Sequence, residues 1–171
     1  NDASIKRLKE LTGNGVLSED QLIRAAGRIK TDEKTDEMFA LAERITKGPE
    51  QRLPEGYSFT DSDGKIREHV RLKWWDATAR RWRDIAISVP SVEDLPDAEL
   101  PETVVSQTYP ANAPPVFFGH YWLRNTPVRQ APNALCLDYS AGKDGPLVSY
   151  QLSDPAVPLS LHNIRVHTAK T

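Results

Sequence analysis

The chain has 171 residues, enough for one domain with its own core, and a formal net charge of -2 gives no general attraction to nucleic acid or to an anionic membrane. Hydrophobic residues make up 39% and charged residues 27%, an ordinary globular balance, so any electrostatic function has to be local. No apolar run approaches the roughly 18 residues of a membrane span, and a single cysteine, Cys136, excludes an intrachain disulfide, so a reducing, cytoplasmic setting is the expectation.

Charge falls unevenly along the chain. Residues 1 to 95 carry 35 charged side chains, whereas residues 96 to 171 carry 11 and hold 10 of the 13 prolines. The expected division is a helical segment plus a basic β-hairpin over 1–95, a Pro-rich connector over 96–114 and a closing β-sheet segment over 115–171. In the first part DASIKRLKEL places Ile5, Leu8 and Leu11 at helical spacing before Gly13 and Gly15. SEDQLIRAAGRIK opens with Ser18 and Gln21 in capping-box register, with Leu22, Ala25, Ala26 and Ile29 as its inward stripe. DEMFALAERITKG has acids in its first turn, a stripe of Met38, Leu41, Ala42 and Ile45, and Lys47 and Gly48 at its stop. Three short helices are expected.

Asp61, Ser62, Asp63 and Gly64 signal a turn between YSF and a long alternating run. Ile66, Val70, Leu72 and Trp74 share one side of that run, interrupted by Glu68, and Lys65, Arg67, His69, Arg71 and Lys73 share the other. A calcium loop is excluded at DSDG, because its ligand spacing and closing glutamate are missing. A second strand over 82–89 is expected to pair back across DATARR, and TVV suggests a short strand within the connector. Strand signals follow at PVFFGHYW, NALCLDYS, GPLVSYQL and LHNIRVHTA, with AGKDG as a hairpin turn by composition.

His120 is the residue most open to a chemical reading. A strand that leaves the core and presents an imidazole at its carboxyl end can place a metal ligand or a proton shuttle there, with Gly119 admitting a close neighbour. The alternative is a structural histidine beside Phe118, Tyr121 and Trp122. Asp138, inside the apolar strand CLDYS, has to be paired; it either belongs to the site or accepts from nearby turn donors. Arg67 and Arg71 match phosphate oxygens in geometry, or simply face solvent beside acidic partners. Trp74, Trp75 and Trp82 can stack nucleobases, although tryptophan in such a context more often fills a core. The chain has no G-x-S-x-G, G-x-G-x-x-G, P-loop, C-x-x-C or H-x-x-x-H motif.

Three blocks in order, KGPEQRLPEGYSFTDSDGKIREHVRLKWW, PPVFFGHYWL and PNALCLDYSAGKDGPLVSYQ, resemble the carboxyl-terminal half of bacterial calcineurin-like metallophosphoesterases, in the branch related to serine/threonine protein phosphatases and diadenosine tetraphosphatase. The resemblance runs roughly from Asp2 to Leu152. It implies an α/β fold, the carboxyl-terminal part of a two-sheet α/β/β/α sandwich with a helical and β-hairpin insertion beside the site. It also implies hydrolysis of phosphate esters by two divalent or transition metal ions, manganese, iron, zinc or nickel. Of the family's successive motifs D-x-H, G-D-x-x-D-R-G, G-N-H, an isolated histidine and G-H, only the last is present, as Gly119-His120, so His120 is the implied metal ligand and catalytic residue.

Tyr121 stands where many members have a second histidine or a threonine. The resemblance places the other motifs upstream, and the absence of an initiator Met fits a chain that begins after them. The implied partners are the missing amino-terminal half or an equivalent chain and a phosphorylated substrate, with a homo-oligomer as a further option. No nucleic-acid duplex and no membrane are expected. Arg67 and Arg71 become candidates for substrate phosphate, and Asp138 a support for His120 or a structural acceptor. The alternative is a non-catalytic binding or structural module on the same scaffold.

Overall fold

The computed structural model describes residues 2–13, 15–27, 36–154 and 157–168. The chain opens with three helices, α1 (Asp2–Thr12), α2 (Glu19–Ala25) and α3 (Glu37–Lys47). Ser18 caps α2 in a complete capping box, its hydroxyl accepting from the Gln21 amide while the Gln21 side chain accepts from the Ser18 amide. Asp36 caps α3 by accepting from the amides of Met38 and Phe39, and Gly48 ends it at φ 84°.

The apolar stripes are less covered than their spacing predicts. Ile5, Leu22 and Ile45 are exposed, and α2 contributes no buried residue. α2 meets α3 through other groups: Arg24 grips the Asp36 carboxylate at 2.9 Å, and Gly27 lies against the Phe39 ring. Ile29, expected in the stripe of α2, lies outside the described residues.

Four short strands follow, β1 (Glu50–Arg52), β2 (Phe59–Thr60), β3 (Ile66–Arg67) and β4 (His69–Leu72). β2 and β3 form the hairpin expected around Asp61 to Gly64, where Asp61 accepts from the amides of Asp63 and Lys65. The alternating run divides at Glu68. β4 leaves the hairpin and pairs antiparallel with β1, which puts Arg71 opposite Glu50. The shared apolar side divides with it: Ile66 is exposed, whereas Val70 and Leu72 are buried.

Two further expectations are corrected. Over 82–89, Trp82–Ile85 is a short helix, α4, and only Ala86–Ile87 pairs with β4, as β5. Asp84 accepts from the Arg81 amide at the start of α4, and Trp82 and Ile85, one helical turn apart, both point into the core. TVV lies in a helix, α5 (Glu102–Val105), which follows Pro101 and carries Glu102 in its first turn. Leu95, Pro96 and Val104 are fully buried, and Leu95 and Val104 pack with Leu53, Phe59, Val70, Leu72, Trp82 and Ile85, so the Pro-rich stretch anchors the first core.

Beyond it, β6 (Val116–Phe118) pairs in parallel with β7 (Ala134–Cys136), and β8 (Leu147–Tyr150) pairs antiparallel with β9 (Ile164–His167). AGKDG is therefore not a hairpin turn, because its flanking strands belong to different sheets. A parallel pair needs a crossover, made here by the irregular segment 119–133. All three residues of β7 are buried, and Ala134 and Cys136 pack with Trp75 and Tyr121 in a second core bordered by Trp74 and Phe118. The result is a mixed α/β architecture of short helices and small antiparallel and parallel sheets. No described helix is long and apolar enough to cross a membrane.

Candidate functional site

β6 delivers Gly119 and His120 to the carboxyl end of the parallel pair, where the chain turns sharply. His120 has φ 69° and Trp122 φ 48°, left-handed conformations that are uncommon for residues other than glycine. Asn125, Ser140 and Asp144, in the loops around this end, are left-handed as well. Asp138 compensates the strained turn. Its Oδ2 accepts from the His120 amide at 2.8 Å and the Trp122 amide at 3.4 Å, and its Oδ1 accepts from the Ser140 amide at 3.1 Å. Its own carbonyl accepts from the Leu123 amide at 3.0 Å, so one residue secures both loops. Gly119 is in ordinary contact with Asp138 and does not need a positive φ, so no described neighbour exploits its missing side chain.

The opposite side of the turn is held from β4. Arg71 Nη1 donates to the His120 carbonyl at 3.3 Å, and Nη2 donates to Glu50 at 3.4 Å. The guanidinium carbon stands 5.4 Å from the centre of the Tyr121 ring, a cation–π contact in a largely covered setting. Its Nε is buried without a hydrogen-bond partner, and so is the Tyr121 hydroxyl. Burial pushes that phenol up to about 12, although Arg71 and the nearby Trp74 indole, which is not aligned for a hydrogen bond, oppose the shift. The hydroxyl abuts Gly48, where a Cβ would collide with it.

Three of the four sequence-derived candidates thus meet. Arg71, His120 and Asp138 form one connected cluster around the turn, but Arg71 and Asp138 engage the main chain of His120. Arg67 is elsewhere. It belongs to β3, in a different sheet from Arg71, and donates to Asp61 at 2.7 Å. The expected common face of Arg67 and Arg71 is corrected by the break at Glu68. The Lys65 amide and the Arg67 guanidinium hold the Asp61 carboxyl below the usual range, so Arg67 is committed to its own turn.

His120 itself is exposed, and no described residue hydrogen-bonds its ring nitrogens. Its ring lies 6.3 Å from that of Trp122, nearly edge-on, and the Lys143 ammonium stands 4.2 Å from the centre of the Trp122 ring. Sequence spacing gave no reason to single out Trp122 or Lys143. Trp122 reads as strand continuation, and Lys143 as part of a hairpin turn. A shallow groove of about 480 Å³, lined by Phe117, Gly119, Leu137, Asp138 and Ala141 among others, adjoins the turn. Another, of about 430 Å³, runs along α3 to Gly48 and Glu50, which touch Tyr121 and Arg71; there Lys47 is paired with Glu43 and Arg44 with Gln107.

Among the described residues, no group of three or more His, Cys, Asp or Glu is placed to hold a metal ion. Among the described residues His120 therefore belongs to no such group. Comparison with protein-family models, curated proteins and solved structures returns no match.

Proposed function

We propose that this chain is the carboxyl-terminal part of a two-sheet, metal-dependent phosphoesterase, with His120 as one ligand of a two-metal centre. The remaining ligands come from motifs that the family resemblance places upstream, on the same polypeptide or an equivalent chain. One observation carries the reading. The G-H pair follows the half-buried strand β6 at the carboxyl end of its parallel pairing with the buried strand β7, with its main chain tied on both sides and its imidazole left facing outward.

A pair of manganese, iron, zinc or nickel ions, when bound, polarises the phosphoryl group and activates water for attack on it. His120 contributes a neutral imidazole nitrogen. Asp138 fixes where that imidazole starts by holding the amides of 120 and 122, and Arg71 fixes the carbonyl side. In this reading Arg71 acts through His120, because its two Nη groups are already engaged. The substrate is a phosphoprotein, nucleotide or small phosphomonoester, and the protein works in the cytoplasm.

The test is hydrolysis of p-nitrophenyl phosphate by the protein joined to its upstream motifs. Activity should require added transition metal, disappear with a chelator and return on metal addition. Metal-independent activity, or none with any of the four metals, overturns the proposal. The incomplete metal-ligand set among the described residues favours a second reading, a non-catalytic module on the same scaffold; that reading predicts the inactive outcome.

A further inference from the structure

Trp122 is 55% exposed and lies outside the second core that its neighbour Tyr121 helps to build. Its left-handed backbone is costly for so bulky a residue, and Asp138 accepts from its amide at 3.4 Å. Strain at this position presents a large aromatic ring to solvent and leaves its packing potential unused. Lys143 arrives from the other loop, between the left-handed residues Ser140 and Asp144, and sets its ammonium over the indole. The ammonium stands over a ring that remains more than half exposed. The His120 imidazole stands within 6.3 Å, across a span that an aryl phosphate bridges.

We propose that Trp122 and Lys143 form a subsite for the aromatic group of a phosphate monoester, an aryl or nucleobase-bearing one. The substrate ring packs against the exposed indole, and its phosphate points toward Lys143 and His120. The orientation rests on the reading of His120 as the reacting end. Stacking discriminates between substrates by their ring and needs no hydrogen-bond readout.

The experiment follows the indole N–H resonances of the 171-residue chain, with Trp122 assigned through Trp122→Phe, during titration with phenyl phosphate and with methyl phosphate. Phenyl phosphate should move the Trp122 signal and bind at least about tenfold more tightly than methyl phosphate, the preference a single stacked ring confers. Trp122→Ala should erase the preference while the signals of Trp74, Trp75 and Trp82 stay in place, and Lys143→Ala should weaken both ligands. Equal affinities, or shifts confined to other tryptophans, overturn the subsite. A phenyl preference in a protein that hydrolyses neither ester with metal retains the subsite and removes the phosphoesterase reading. Hydrolysis whose aryl preference survives Trp122→Ala does the reverse.

Discussion

Arg71 donates to the main-chain oxygen of His120 across 49 residues of sequence, and through the same guanidinium reaches Glu50 on the neighbouring strand. The helical and hairpin half is thereby attached to the turn that carries the candidate ligand. Both bonds are long and Glu50 is half exposed, so the Glu50–Arg71 coupling should be below about 1 kcal/mol in a double-mutant cycle of Arg71→Ala and Glu50→Ala. Arg71→Ala alone should broaden or shift the His120 ring signals, because it releases the carbonyl and uncovers the Tyr121 ring. Unchanged His120 signals would show that the turn holds without Arg71.

Asp138 is the stronger support. Three amides converge on its carboxylate, and charged acceptors of this kind contribute more than neutral ones. Asp138→Ala should destabilise the fold by about 2 kcal/mol in urea denaturation, and Asp138→Asn by roughly half that. A surface-like cost, below about 0.5 kcal/mol for the alanine variant, contradicts the role assigned to it.

The Tyr121 hydroxyl gives a prediction of opposite sign. It is buried without a hydrogen-bond partner, so Tyr121→Phe should leave stability unchanged or raise it by up to about 1 kcal/mol. Gly48→Ala should cost at least about 2 kcal/mol, since it combines a positive φ with a collision against that hydroxyl. In the Gly48→Ala background, Tyr121→Phe should recover part of the loss.

Much of the local structure was legible, and the reasons are local too. The capping box at Ser18, the stop at Gly48 and the Asp61 turn depend on residues within a few positions of one another. What was not legible depends on partners far away. Nothing in Lys65 to Lys73 states that β4 prefers β1 to continuation of the hairpin, and the apolar pattern of 82–89 fits a helix–strand junction as well as a strand. Parallel pairing of β6 with β7 was hidden because strands on either side of a turn-like AGKDG read as a hairpin. At the site, Gly119-His120 and Asp138 stood out by type. The Trp122–Lys143 contact joins two loops and has no sequence signature.

Alkaline pH should expose the second core. Burial pushes the Cys136 thiol from its usual 9.0 to about 11, and the Tyr121 phenol from 10.0 to about 12. Both groups keep their protons longer in the folded protein than in the unfolded chain. Their contribution to stability is complete below pH 9.0 and is lost as pH rises toward 11 and then 12. The denaturation midpoint should fall above pH 9.0, and Cys136→Ala should delay the onset toward 10.0, where Tyr121 takes over. In the native state the thiol should resist alkylation at mildly alkaline pH, at a rate at least about 100-fold below that in denaturant. Rapid native alkylation would contradict the burial.

The central claim is that His120 supplies a metal ligand, and metal content tests it most directly. Joined to the D-x-H, G-D-x-x-D-R-G and G-N-H motifs that the proposal requires, the protein should bind about two equivalents of transition metal, and His120→Ala should reduce this to about one with at least a hundredfold loss of metal-dependent phosphate-ester hydrolysis. Full metal content together with unchanged turnover in His120→Ala would contradict the claim.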